Sequence, residues 1–200
     1  MRSPPRDRRG GRRWWLSPSA PKWPGWAETW RALLAHRAGF GHQQIDLPRE
    51  TQLEDDPDVI AVTLGRIEPM LASFRARVKA IAELCRRHAI EPVFVTQPGL
   101  YGDAIDPATG VNLAGVQANG TANGKLWWRV QELYNDVTRQ VAADEGALVV
   151  DGARLLPKDS RLFYDYIHFT NEGAARFGDL VAAGLEPRLR TLAPPPHRPE

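Results

Sequence analysis

Apolar residues recur at spacings of three and four along most of the chain, which is the pattern of amphipathic helices. The repeat predicts a helix over 70–88, with Ile81 on its apolar face. It predicts another over 126–143, with Val130, Val137 and Val141 inward and Gly146 ending it. It predicts a third helix over 172–190, capped by Thr170 or Asn171. A weaker repeat over 26–38 predicts a short helix that contains Trp26 and Trp30. Each long helix has one apolar face, so we expect these faces to cover a sheet.

Short β-branched runs separate these helices. Val93–Thr96, stopped by Gln97-Pro98-Gly99, and Ala147–Asp151 are both typical of buried strands. Asp58–Gly65 also favours a buried strand, with a helical turn that leads into the next element as the alternative. Alternation of strands and helices predicts an α/β fold, in which a parallel sheet lies between two helical layers as a three-layer α/β/α arrangement. Sites in such folds form in the loops that leave the carboxyl ends of the strands, here residues 99–124 and 152–169.

The two ends of the chain differ in composition from the middle. Residues 1–25 are rich in Arg, Pro, Gly and Trp, and the stretch from Met1 to Arg13 is strongly basic with Asp7 as its only acid, so we expect a disordered basic arm. Residues 193–200 (APPPHRPE) predict a disordered tail. This leaves one domain over 26–192. The net charge is only +2 and its basic part is confined to the arm, so we expect no nucleic-acid partner. Salt-dependent binding of nucleic acid by the arm alone remains an alternative.

Further classes are excluded by what the sequence lacks. No apolar run reaches the length of about 18 residues that a membrane span needs. Trp14-Trp15-Leu16 is followed by Ser and Pro rather than by an apolar signal core, so we expect a cytoplasmic protein. Cys85 is the only cysteine, which excludes an internal disulfide and a cysteine-based zinc site. We expect neither a metal nor another cofactor.

Candidate chemistry lies in the segment 163–173, FYDYIHFTNEG. Asp165 precedes His168 by three residues, in a loop just ahead of a predicted helix. In acyl transfer an imidazole takes a proton from a nucleophile, and a carboxylate fixes the tautomer and stabilises the imidazolium. A surface ion pair or a helix cap are the alternatives for this spacing. Metal binding is less favoured because no further His or Cys lies nearby in the sequence.

Residues Val93 to Leu189 resemble the C-terminal half of SGNH (GDSL-type) hydrolases. The matching pieces follow one another in the family's order: VFVTQPGLYG, LYNDV, ALVVDGARLLP and FYDYIHFTNEGA. The resemblance implies a flavodoxin-like parallel sheet and hydrolysis of a small-molecule ester by a Ser-His-Asp triad. In that family the D-x-x-H block supplies the His and the Asp, which places His168 and Asp165 in those roles.

Two other blocks of the family have no clear counterpart. The nucleophile lies in Gly-Asp-Ser, but none of the five serines follows Gly-Asp. The nearest match to the Gly-x-Asn-Asp block is Gly65-Arg66-Ile67-Glu68, in which Ile67 cannot donate a hydrogen bond to an oxyanion. Either this is a decayed block, or the family's block lies further upstream and residues 14–69 are an insertion, which is the interpretation that we favour. We therefore expect an N-terminally shortened hydrolase that lacks the nucleophile block and by itself shows little or no triad-type hydrolysis.

An incomplete fold also has a consequence for stability. Without the central strands of the sheet, apolar helix faces are under-covered, so we expect marginal stability or self-association. A catalytically inactive relative that binds a ligand or a protein through the Gly99–Gly124 loop is the alternative function.

Overall fold

The computed structural model describes residues 45–192, so the expected arm, the helix at 26–38 and the tail at 193–200 lie outside the described residues. Single 3-10 turns occur at Leu47–Arg49 and Ser160–Leu162. The helices are α1 (Pro57–Arg87), α2 (Gly124–Glu145), the short α3 (Gly152–Leu155) and α4 (Asn171–Leu192). The strands are β1 (Val93–Val95), β2 (Gln117–Asn119), β3 (Ala122–Asn123) and β4 (Leu148–Val150).

Helix α1 includes the segment in which we expected a strand, Asp58–Gly65. The Asp56 carboxylate accepts hydrogen bonds from the amides of Asp58, at 2.9 Å, and Val59, at 3.1 Å. Pro57 occupies the first helical position, where its missing N–H leaves no bond unmade. These two local signals start the helix, so the strand prediction is wrong. The turn continues into the helix predicted over 70–88, and Pro69 is accommodated inside it.

Strands β1 and β4 pair in parallel, with Val93 opposite Leu148, Phe94 opposite Val149 and Val95 opposite Val150. Both strands were predicted, and the mixed α/β class is confirmed. The parallel sheet of the described residues has two strands, whereas flavodoxin-like order has about five. The full three-layer arrangement, with its remaining strands, stays a prediction.

Helices contact both faces of the small sheet. On one face, Phe94 packs against Val78 of α1 and against Val137 and Val141 of α2. On the other, Val150 lies so close to α4 that a Cβ on Gly184 would be 2.7 Å from its Cγ2 atom. Ladder bonds and helix packing thus fix the carboxyl ends of β1 and β4, from which the loops of the site leave.

The loop after β1 is a packed part of the core. Leu100, Leu113 and Val116 are fully buried, and they form one cluster with four other residues, Leu47, Leu156, Leu162 and Phe163. An antiparallel β2–β3 hairpin then leads into α2, whose first turn is capped by Asn123. Gly146 ends α2 in the left-handed conformation that favours glycine, as predicted.

Apolar side chains are exposed on α1 and at the edge of β1. The large exposed ones in this region are Val62, Met70, Ile81, Leu84 and Val95. Ile81 was expected to face inward but is 52% exposed, because α1 packs on α2 while no described residue covers its far side. The amide of Thr96 donates to Val150 O across the ladder, so by alternation the backbone groups of Val95 point to the open edge.

Candidate active site

Asp165 and His168 lie in a tight hairpin formed by residues 163–169, which we call the dyad hairpin. An antiparallel bridge joins Phe163 to Phe169, and the Tyr164 amide donates to His168 O at 2.8 Å. These contacts close the loop at its base and leave Asp165, Tyr166 and Ile167 at its tip. The three-residue spacing of the pair is therefore spanned by a defined turn.

Both carboxylate oxygens of Asp165 are used within this hairpin. One oxygen, Oδ1, accepts from the amides of Ile167 and His168, both at 2.8 Å. The other, Oδ2, lies 2.7 Å from Nδ1 of the His168 ring. Partial burial works to raise the pKa of Asp165, but the two amides and the imidazole together hold it below its usual value. The carboxylate is thus charged at neutral pH and fixed in direction.

The contact with Asp165 sets the orientation of the His168 ring. A proton on Nδ1 is favoured because it faces a carboxylate, which leaves the Nε2 lone pair available to accept a proton. No described side chain is hydrogen-bonded to Nε2. The His168 side chain is 70% exposed and that of Asp165 51%. An ion pair as exposed as this contributes little to stability. Its geometry fits an acid–base pair, and its catalytic role stays a prediction.

Neighbouring segments hold the dyad hairpin from two sides. The Leu100 amide, in the loop after β1, donates to Tyr166 O at 2.8 Å. The Ile45 amide donates to Tyr164 O at 2.7 Å. Since one bond reaches the tip and the other the first arm, the hairpin is fixed relative to the carboxyl end of β1.

Helix α4 begins immediately behind the hairpin. The Thr170 hydroxyl accepts from the Gly173 amide at 3.1 Å. Thr170 is therefore the cap, one of the two predicted candidates. A Cβ on Gly173 would overlap Leu162 O, which means that only glycine permits this approach. Phe163, Phe169 and Phe177 stack behind the pair, with ring centroids 5.3 and 5.0 Å apart.

Two apolar grooves lie beside the dyad hairpin and share three lining residues, Tyr101, Trp127 and Ile167. The smaller, of about 320 Å³, is also lined by Asp165, Ala118 and Tyr166. The larger, of about 430 Å³, extends toward Val95 and toward Phe74 of α1. Burial, together with the negative charge of Asp165, raises the pKa of Tyr101 to about 12, so its hydroxyl stays protonated. This hydroxyl donates to Gln131 at 2.6 Å.

The two described serines are both poorly suited to be the nucleophile. Ser160 is buried, and its hydroxyl donates to Asp106 at 2.9 Å while its amide donates to the same carboxylate at 2.8 Å. Ser73 lies within α1, on an exposed turn. The candidate oxyanion block, Gly65 to Glu68, also lies within α1 rather than after a strand. Ser3, Ser17 and Ser19 lie outside the described residues.

Sequence reasoning did not single out Tyr101, Trp127 or Lys158. Tyr101 and Trp127 line both grooves, and the indole Nε1 of Trp127 is buried without a hydrogen-bond partner among the described residues. Lys158 is bonded to the loop that carries Tyr101. The order VFVTQPGLYG marks the loop itself, but nothing in the sequence indicates which distant side chains contact it.

Within residues 45–192, no three His, Cys, Asp or Glu side chains are grouped so that they could hold a metal ion. Over the same residues, every helix is too short or too polar to cross a membrane.

Comparison with known proteins identifies no family for this chain. No family model matches the chain, and neither a curated protein nor a solved structure matches it significantly.

Proposed function

We propose that this chain carries the acid–base part of an SGNH-type site that hydrolyses ester bonds. The observation that supports this proposal is the Asp165–His168 geometry: a carboxylate held by two amides, a ring nitrogen 2.7 Å away, and a second ring nitrogen without a described partner. A helix cap would need neither the ring contact nor the available Nε2. The resemblance of the surrounding segments to SGNH hydrolases supports the same function.

In this proposal His168 Nε2 removes a proton from the attacking hydroxyl and returns it to the leaving alcohol. Asp165 keeps the proton on Nδ1 and stabilises the imidazolium that forms. A small ester would place its apolar acyl part against Tyr101, Trp127 and Ile167, next to the carboxylate. The nucleophile is unassigned, because the Ser160 hydroxyl donates to Asp106 and Ser73 lies within α1.

The proposal is tested with a short-chain nitrophenyl ester and four proteins: the full chain, His168→Ala, Asp165→Asn and His88→Ala. His88 is an exposed histidine at the end of α1, so its variant is the matched control. We expect slow hydrolysis without a burst. We also expect His168→Ala to remove more of the rate than His88→Ala, with Asp165→Asn between them.

Equal effects of the two histidine variants would show that the reaction does not depend on His168, and the proposal would fail. A fast, burst-type reaction that is lost in His168→Ala would instead reveal a nucleophile that we have not assigned. A stable, folded chain with no rate that depends on His168 would favour the alternative, a binding protein that retains the fold of a hydrolase.

We also propose self-association through the exposed apolar side of α1 and the edge of β1. Met70, Ile81 and Val95 are exposed there, and the backbone of Val95 has no ladder partner among the described residues on that edge. An unpaired strand edge beside apolar side chains favours contact with a second chain.

A further inference from the structure

Lys158 occupies an unusual position between the site and the core. It lies between α3 and the 3-10 turn at Ser160–Leu162, and its ammonium Nζ donates to two backbone carbonyls. The distances are 2.9 Å to Gly99 O and 2.5 Å to Tyr101 O. The same nitrogen lies 3.2 Å from the centroid of the Trp128 ring. A cation in this position is attracted by the face of the indole.

The backbone around this contact is shaped to admit it. Gly102 has a φ of +131°, and a Cβ there would lie 2.8 Å from Trp128 Cγ and 3.0 Å from Lys158 Cε. Such a φ lies in the region that favours glycine. Any other residue at position 102 would both strain the backbone and push the lysine from the ring. Lysine, tryptophan and glycine thus form one packed unit, which we call the Lys158 clamp.

This clamp holds the loop that holds the dyad hairpin. Lys158 bonds the carbonyls of Gly99 and Tyr101, and the residue between them, Leu100, donates its amide to Tyr166 O at the hairpin tip. The rings of Tyr101 and Tyr166 are 5.8 Å apart. A side chain 59 residues distant from Gly99 in sequence is therefore two contacts away from the turn between Asp165 and His168.

We propose that Lys158 is a positioning residue for the Asp165–His168 pair, acting through the Gly99–Gly102 loop. Its importance for a reaction rests on the proposed function, whereas its effect on the hairpin can be measured without any reaction. Partial burial separates the ammonium from water, and burial lowers the pKa of Lys158 to about 7, opposed by the charge of Glu132. Such a group is held by its protein contacts rather than by solvent.

The test measures amide hydrogen exchange and the ¹⁵N shifts of the His168 ring in Lys158→Met, Lys158→Arg and Lys125→Met. Lys125 is an exposed lysine that pairs with Asp55, so its variant controls for the loss of a charge. In Lys158→Met we expect about a tenfold loss of protection at the amides of Leu100, Ile167 and His168, with Thr96 in the β1–β4 ladder unchanged. We also expect the His168 shifts to move toward a mixed tautomer.

Arginine keeps the charge, the donors and the ring contact, so Lys158→Arg should restore most of the protection and the ring shifts. Unchanged protection at Leu100 in Lys158→Met would overturn the proposal, as would an equal loss at Thr96, since the second result describes global destabilisation. If Lys158→Met does not fold, Gly102→Ala replaces it, with the lysine retained and the same pattern expected. Failure of the ester assay would not affect these readouts, so the two proposals fail separately.

Discussion

The dyad hairpin and helix α1 differ in how completely other described residues cover and hydrogen-bond them. The hairpin closes on itself through Tyr164 and His168, is tied to Leu100 and Ile45, and rests on the fully buried Phe163. Helix α1 has one packed side, against α2, and exposes Met70, Ile81 and Leu84 on its other surfaces. The candidate site therefore lies in the well-packed region, and helix α1 carries an open apolar surface.

This difference indicates where additional structure is needed. A local turn can meet its own hydrogen-bonding demands, whereas a parallel strand and its covering helix need neighbours on both sides. Among the described residues, the open edge of β1 and the exposed surface of α1 are the features that lack such neighbours. Substitutions in the two regions should accordingly have very different effects.

The largest effect is expected from removing the buried ring at the base of the hairpin. Phe163→Ala should lower the free energy of unfolding by about 3–5 kcal/mol, because it leaves a cavity at a fully buried position. Ile81→Ala, on the exposed surface of α1, should change it by about 0.5 kcal/mol or less. Urea unfolding of the two variants measures this contrast. Similar losses would mean that α1 is covered in solution.

A second contrast compares two glycines of α4. Gly173→Ala places a methyl group against Leu162 O and should cost about 1–3 kcal/mol by moving the hairpin from the helix. The methyl group of Gly178→Ala meets no described atom nearby, so this variant should stabilise the helix by about 0.5–1 kcal/mol. The midpoint of thermal unfolding should therefore fall in Gly173→Ala and rise in Gly178→Ala. A rise in both variants would show that the close approach at Gly173 does not exist.

A third prediction concerns acid. Burial works to raise the pKa of Asp106, but hydrogen bonds from Thr109 and Ser160 hold it below its usual 3.8. Between the lowered pKa of the folded chain and the usual pKa of 3.8, the unfolded chain binds the proton and the folded chain does not. Stability therefore falls as pH drops through this window. Asp106→Asn should cost about 1–3 kcal/mol at pH 7, because the amide has one acceptor oxygen instead of two.

The stability difference between wild type and Asp106→Asn should narrow at a pH below the window, which urea midpoints at two pH values measure. Asp103→Asn, an exposed carboxylate of the same loop, is the control and should have a small effect at both. A difference that does not change with pH would contradict the assignment to Asp106.

The smallest effect is expected on association. The double variant Met70→Glu, Ile81→Glu places charge on the exposed apolar surface and should weaken self-association about tenfold, measured by sedimentation equilibrium. Ala72→Glu, an exposed position of the same helix, controls for added charge. A wild-type chain that is monomeric at every concentration would refute the proposed contact.

Periodicity was sufficient to predict the elements whose signals are local. Val130, Val137 and Val141 are buried on α2, and Gly146 ends that helix, as the sequence indicates. The contact between Asp165 and His168 was likewise expected, since both residues lie in one short turn. The sequence interpretation was wrong at Asp58–Gly65, where an apolar run fits either structure and the cap at Asp56 with Pro57 determines the outcome.

Features that depend on distant contacts were not predictable. Ile81 was assigned to an inner face from the apolar repeat alone, but its side chain is 52% exposed. The Lys158 clamp joins segments 57 and 59 residues apart, for which a single sequence has no signal. The buried hydrogen bond from Ser160 to Asp106 joins residues 54 apart, and the sequence likewise has no signal for it.

The closure of the dyad hairpin by its own residues has a consequence for folding order. The bridge and the hydrogen bond that close the hairpin both lie within the short span from Phe163 to Phe169. The entropic cost of closing so short a loop is small. The bond from Leu100 to Tyr166 and the pairing of β1 with β4 must instead close much longer loops, which form more slowly. We therefore expect the carboxylate and the imidazole to meet early, as a preformed turn onto which the rest of the domain assembles.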